Sequence, residues 1–504
     1  MELKLQKQPV AVCEMLLDAA AEYPIECDIL LPDYCPDIVR VLTCRTTADV
    51  TDTAVRGTTL TVEGMTTVTL CYLGDVGGVR TTQVRQPFSK NFELQGEAQA
   101  PVVFASAERG YLTCRAASRR RVDVRGVLQM TAAVYDARTE PIVCGAEGGG
   151  VCLKTREYRT ACLTRHDVQR FSQREEVSPP PGCHPAREVL RADCGAVVQE
   201  WRAVANGVLV KGELPVSLFV AAGEDGALET AQYNLPFSRV IETATPAAVC
   251  AVTMRCAQID CAPAEDEEEG RLSIEMQLES SILTCEETTV TAAADGFSTQ
   301  VASRCATERL RTATVSRTLD ERMTVQVEIP LPTGATGVAD VFAVPSQLSA
   351  AVSDGELLLS GRVSLAAVVT GAEGGPDAVS ETAILKKPLS AAGESRLTCR
   401  PQATVLRAEG TIAGETLTLT AELLITGAVV AWSEQEAVTD LTLDENAPRT
   451  GDPAVGLVIC YAAAGESVWD VARRYAADPR RIMEDNRIDD DLLTQDTVLV
   501  IPGA

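Results

Sequence analysis

Residues 59–72 read TLTVEGMTTVTLCY, residues 207–219 read GVLVKGELPVSLF and residues 355–368 read GELLLSGRVSLAAV. Each is a strand-like run, a glycine and a second run in which apolar residues alternate with polar ones. Alternation with a period of two places every second side chain on one face, the signature of a half-buried β-strand. The glycines, Gly64, Gly212 and Gly361, stand 148 residues (64 to 212) and 149 residues (212 to 361) apart. Two other markers keep nearly the same period. Downstream come Gln86-Pro87-Phe88-Ser89, Leu235-Pro236-Phe237-Ser238 and Lys387-Pro388-Leu389-Ser390. Upstream come Pro32, Pro181 and Pro332, each closing a strand-like run. A fixed period of this length predicts three copies of one domain of ordinary size.

Each copy continues into more strand-like sequence: RRVDVRGVLQMTAAVY (120–135), GRLSIEMQLESSILT (270–284) and ATVLRAEGTIAGETLTLTAELLITG (403–427). The expected architecture is mainly β. Three sandwich-like or barrel-like domains span 1–150, 151–303 and 304–450, and a small βααβ unit spans 455–504. GAEGGG (145–150) reads as a flexible joint after the first copy. EDEEEG (265–270) reads as a solvated acidic loop.

The stretch DILLPDYCPDIVRVLTC (28–44) poses a choice. Asp33 and Asp37 form either a carboxylate pair or the punctuation of a turn. The matching stretches, SPPPGCHPAREVL and PLPTGATGVADVFAV, keep a proline but place Gly182 and Thr333 opposite Asp33; Asp37 has no firm counterpart, though Asp340 lies nearby. Chemistry shared by the copies cannot rest on that pair. Proline ends ladder pairing, and Asp stabilises a turn by accepting from nearby backbone N–H groups.

The 504 residues carry a formal charge of −26, with 46% hydrophobic and 4% aromatic residues. The cores are therefore aliphatic. The charge disfavours nucleic acid and anionic membranes and leaves a basic protein partner as an option. No apolar run is long enough to span a bilayer, and the first residues lack the apolar core of a signal peptide, so an intracellular, cytoplasmic protein is expected. The 18 cysteines are expected as free thiols. None form Cys-x-x-Cys, and the spacing of Cys256 and Cys261 is poor for zinc, so no metal site is expected.

From 457 the pattern changes. Leu457–Tyr461 is strand-like. Ser467-Val-Trp-Asp470 has the form of a capping box opening a helix. Asp478-Pro479 opens a second helix with an N-cap and a proline at the first turn. Ile482 and Met483 point inward, and Val498–Ile501 is a closing strand.

This unit resembles LysM through Tyr461, the Gly465-Glu466-Ser467 turn, Trp469, Ala472, Tyr475, Asn486 and the final Val-Leu-Val-Ile-Pro. The resemblance implies a shallow groove for N-acetylglucosamine-containing glycans such as peptidoglycan. Gly465, Glu466, Ser467 and Val468 would form one side of it, and Asn486, Arg487, Ile488 and Asp489 the other. Ser467 also reads as a cap, and Trp469 reads as core. The repeated part resembles the SPOCS domain of endospore-forming Firmicutes, through LPDYCPDIVRVL, LTVEGMTTVTLCY and QPFSKNFEL; the third copy departs most. That resemblance implies a spore-coat morphogenetic protein of the mother cell, working at the forespore surface. It further implies that the LysM region binds a SpoIVA-like coat-basement ATPase.

An enzyme is the competing expectation. The only histidines, His166 and His184, fall in a linker-like start of the second copy and have no counterparts in the others. No nucleophile-elbow, zinc-protease or phosphate-loop motif is present. The residues therefore favour a non-enzymatic scaffold without a cofactor, with glycan binding through LysM as the alternative.

Overall fold

The computed structural model describes residues 3–502 apart from 77, 224, 265–269, 354, 372–374, 392–395 and 450–456. The acidic loop at 265–270 thus lies almost wholly outside the described residues. The described chain is mainly β, and its strands fall into three sets with one order.

In set 1, β1 (Lys4–Leu30), β6 (Arg121–Glu147) and β5 (Pro101–Ala116) form one sheet in the order β1-β6-β5. The meander β2 (Ile38–Arg56), β3 (Thr59–Gly74) and β4 (Val79–Glu93) forms the other. Leu60, Leu70 and Phe88 of the meander meet Ile25, Val124 and Leu128 of the first sheet in a common core. Set 2 repeats this with β7 (Val151–Val177), β13 (Leu272–Ser298) and β12 (Val249–Pro263). They face β10 (Gly207–Ala222), which pairs with β11 (Ala227–Glu242), β8 (Ala186–Cys194) and β9 (Val197–Val204). In set 3, β14 (Val301–Pro330), β20 (Thr416–Pro448) and β19 (Gln402–Ala413) fold over β15 (Gly337–Ser353), β16 (Glu356–Thr370) and β17 (Asp377–Ser390). Here the short β18 (Leu397–Cys399) pairs with both β15 and β20, so the two sheets are continuous. None of the sheets closes on itself.

The sequence markers have a structural cause. Gly64 lies opposite Phe88, and Gly212 opposite Phe237, with both rings buried. A Cβ at Gly64 would collide with the Phe88 ring and the Asp49 carbonyl, and one at Gly212 with the Val197 carbonyl and the Phe237 ring. In set 3 the residue opposite Gly361 is Leu385, not Leu389 of the Lys-Pro-Leu-Ser marker, whose Pro388 pairs with Leu358. That marker is therefore displaced along the strand. A Cβ at Gly361 would press on the flexible Leu348 side chain at 2.7 Å and reach main chain, the Ser346 carbonyl, only at an ordinary 3.5 Å. Alanine at 64 or 212 is expected to cost at least about 1–3 kcal/mol by overpacking against main chain, and alanine at 361 clearly less. The ranking of melting temperatures checks this.

The proline turns also shift. The i to i+3 turn bonds start at Pro32, Pro180 and Pro332, so Pro181 rather than Gly182 corresponds to Asp33. Asp33 is in solvent. Asp37 receives a 2.8 Å bond from Arg120, which also reaches the Pro32 carbonyl at 2.6 Å. Arg120 fastens the turn, the role read for proline and aspartate. GAEGGG is no loose joint. Gly145–Glu147 belong to β6, and Gly148, Gly149 and Gly150 turn with positive φ; Ser298 Oγ donates to the Gly149 carbonyl and Thr299 N–H to that of Gly150.

The long strands extend beyond each sandwich as two-stranded ribbons: β1 with β6, β7 with β13, and β14 with β20. These ribbons share cores. One contains Cys13, Tyr135, Leu163, Leu283, Ala313 and Trp432; another contains Val12, Ile142, Tyr158, Val290, Leu310 and Ala437. Tyr158 of set 2 donates to the Glu436 carbonyl of set 3 at 2.8 Å.

The meanders meet at a second junction. Cys71, Phe219 and Val368 occupy one position of the strand order and cluster together. Their ladder partners are Thr43, Arg191 and Asp340; two residues on stand Arg45, Asp193 and Phe342. Arg45 binds both oxygens of Asp193 at 2.8 and 3.0 Å. Arg191 binds both oxygens of Asp340 at 2.7 and 3.0 Å and is also paired with Asp193. Both guanidiniums stack on Phe342, 4.9 and 5.3 Å from its centroid. Although burial opposes it, Arg45 and Arg191 hold the Asp193 carboxyl down at about 2.

Candidate functional site

The C-terminal elements run β21 (Leu457–Ala462), α1 (Val468–Tyr475), α2 (Pro479–Asn486) and β22 (Thr497–Pro502), with β21 antiparallel to β22. Local chemistry sets the helix limits. Ser467 Oγ accepts from the Asp470 N–H at 3.1 Å and donates to the Asp470 carboxylate at 2.6 Å. Asp478 caps α2 by accepting from the Arg480 N–H at 2.9 Å, with Pro479 following. Both helices end at left-handed residues, Ala476 and Arg487. Val468, Trp469, Val471, Ala472, Ile482, Leu499 and Ile501 form the core. Ser467→Ala is expected to cost about 1 kcal/mol of local stability, read as faster amide exchange over α1 in the full chain.

The expected groove residues separate into two groups. Gly465, with φ 87°, is exposed and donates to the Leu493 carbonyl at 2.7 Å. The Glu466 carbonyl accepts from Leu493 N–H, and its carboxylate pairs with Arg474. Val468 N–H donates to the Asp491 carbonyl at 2.7 Å, and its side chain is wholly buried. Residues 465–468 are thus laced to 491–493. On the other side, the Asn486 amide donates to the carbonyls of Ile482 and Val500 and accepts from Val500 N–H, all within 2.8 Å. Ile488 is half-buried against the core, and Arg487 and Asp489 are exposed. Asn486 is a clamp between α2 and β22, so its polar atoms are engaged within the unit. Gly465, Arg487 and Asp489 are the residues of the two groups that lie open to solvent.

Asp491 was not legible as a site residue. Its carboxylate accepts from Trp469 N–H at 2.9 Å and from Lys154 Nζ at 2.6 Å, so β7 reaches the edge of these loops. The unit is docked on set 2. Trp469 Nε1 donates to Asp295 at 2.8 Å, Arg473 pairs with the same carboxylate, and the Phe297 and Trp469 rings meet edge to face at 4.9 Å.

Among the described residues, one face of the β21–β22 ribbon is left uncovered. Tyr461 lies opposite Val498, and Ile459 opposite Val500. Leu457, Ile459, Tyr461 and Val498 are 52%, 57%, 82% and 54% exposed.

The histidines lie elsewhere. His166 is in mid-strand β7 rather than in a linker. Its Nδ1 donates to the Val103 carbonyl and its Nε2 accepts from Ser281 Oγ, both at 2.6 Å, while its ring stacks on Phe104. Burial pushes its pKa down, and both nitrogens are used inside the fold. His184 is exposed and holds the Glu229 carboxyl below its ordinary range against the opposing effect of burial. All 18 cysteines are unbridged. Among the described residues no group of three His, Cys, Asp or Glu side chains could hold a metal ion, and no helix is long and apolar enough to cross a membrane. No protein-family model, curated protein or solved structure matches the chain.

Proposed function

We propose that the chain is a non-enzymatic scaffold of endospore coat assembly. In this reading the three strand sets are SPOCS-like domains and the C-terminal unit is a LysM module that binds a SpoIVA-like coat-basement ATPase at the forespore surface in the mother cell. The observation that carries it is the exposed face of Leu457, Ile459, Tyr461 and Val498 on a unit held through Trp469 to set 2. Apolar and aromatic side chains of this kind suit a protein partner. The alternative is a glycan-binding protein of the cell or spore envelope. The exposed Gly465, Arg487 and Asp489 at the loop ends favour it, because a sugar needs polar groups it can reach.

A binding comparison separates the two. The full chain, its Tyr461→Asp variant and a chain ending at residue 449 are offered purified coat-basement ATPase and, separately, peptidoglycan sacculi. The scaffold reading expects retention of the ATPase that is lost in both altered chains. Strong retention on sacculi with no ATPase binding would transfer the assignment to the glycan reading.

A further inference from the structure

We propose that sets 1 and 2 each carry a thiol pair, Cys44 with Cys114 and Cys194 with Cys256, that a small-molecule disulfide converts into an intrachain bridge joining the two sheets of its sandwich.

The topology brings each pair together. β2 and β5 are edge strands of the two facing sheets of set 1; β8 and β12 are edge strands of those of set 2. Cys44 and Cys114 flank the same core on β2 and β5, which run against one another, close enough that each thiol perturbs the other's ionisation. Cys194 and Cys256 lie beside one another on the corresponding strands of set 2, their Sγ atoms donating to the Gly195 and Gln258 carbonyls, both at 3.2 Å. Strands of the two sheets thus meet at this edge without sharing a ladder. In set 3 the corresponding strands, β15 and β19, bear no such pair, and the short β18 ties the sheets together through hydrogen bonds instead. A disulfide would supply in sets 1 and 2 the connection that β18 makes in set 3.

Access and reactivity fit. All four residues are partly exposed. Cys13 and Cys162 are wholly buried on β1 and β7, with Cys162 Sγ donating to the Val12 carbonyl at 3.3 Å, and are no part of the proposal. Cys114 is the less deeply buried thiol of its pair and so the one a dissolved disulfide meets first. With oxidised glutathione, the Cys114 thiolate attacks one sulfur and breaks the S–S bond. One glutathione leaves as thiolate and a mixed disulfide remains. Cys44, having released its proton to solvent, attacks Cys114 Sγ and expels the second glutathione. Two electrons pass from the protein thiols to the glutathione disulfide, which becomes two thiols.

The test treats the reduced, folded full chain with oxidised glutathione, blocks remaining thiols and maps unreduced peptides. The expected result is intrachain linkage of Cys44 to Cys114 and of Cys194 to Cys256, a loss of four titratable thiols, a higher melting temperature, and reversal by dithiothreitol. A Cys44→Ser chain should keep Cys114 as a glutathione adduct while Cys194 and Cys256 still join. Persistence of both pairs as free thiols, stable glutathione adducts on the unaltered chain, or linkage to other cysteines would overturn the proposal. The map of the unaltered chain decides this even where the variant fails to fold.

Discussion

Replacing Arg191 by methionine is expected to destabilise the fold by about 3–5 kcal/mol. The Arg191 and Asp340 side chains are 8% and 1% exposed, and Asp340 has Thr230 Oγ1 at 2.9 Å as its other side-chain donor. Without Arg191 a carboxylate would stay buried with one hydroxyl for company, and its ionised form would lack compensation. The double variant Arg191→Met/Asp340→Leu is expected to recover most of the loss, because a buried ion pair exchanged for apolar side chains is often neutral. Urea unfolding of the three chains checks both statements. A cost below about 1 kcal/mol for the single change, within the range of exposed ion pairs, would show that the junction does not hold the meanders together.

The same junction sets a pH dependence. The folded-state pKa of Asp193 lies at about 2, below the usual 3.8, so between these values the unfolded chain binds more protons. Its contribution is complete above pH 4 and is lost as pH falls through 2. Arg45→Met removes a bidentate partner and is expected to flatten the fall in melting temperature across that window.

What could be read in the sequence depended on whether the repeated positions kept their chemistry. Gly64 and Gly212 did, because each is wedged beneath a phenylalanine on the neighbouring strand, and such steric demands preserve residue type. Arg45, Asp193 and Phe342 occupy one position of the strand order, yet they are a cation, an anion and an aromatic ring. They interact because they differ, so a search for similarity passes over them. The displaced Lys-Pro-Leu-Ser marker failed for another reason: proline and serine fit several places along an edge strand, whereas register is set by the buried Leu385 opposite Gly361. The helix caps at Ser467 and Asp478 were legible because capping is local. The lacing of 465–468 to 491–493 was not, since it runs through backbone groups that every residue carries.

Docking of the C-terminal unit on set 2 follows from side chains at one ribbon end. Val143, Ala293 and Val438 cluster as matching core positions of the three ribbons. Four residues further on stand Glu147, Phe297 and Thr442, and two residues on stand Gly145, Asp295 and Asp440. Set 2 alone offers an aromatic ring together with a carboxylate there. Trp469→Ala is therefore expected to cost about 3–5 kcal/mol, enough to unfold a unit whose own core supplies little more than that. The indole is 5% exposed, packs among Val468, Ala472 and Leu499, and bonds Asp295. Asp295→Ala removes the carboxylate shared by Trp469 and Arg473 but leaves the caps, the Asn486 clamp, the Phe297 contact and the Lys154–Asp491 pair, so the unit should stay folded while its docking loosens. Amide exchange of the full chain distinguishes the outcomes. Trp469→Ala should erase protection across 457–502, whereas Asp295→Ala should preserve it in α1 and α2 and expose the end of β13. Protection of α1 that survives Trp469→Ala would remove the indole from the core and leave it a docking residue alone.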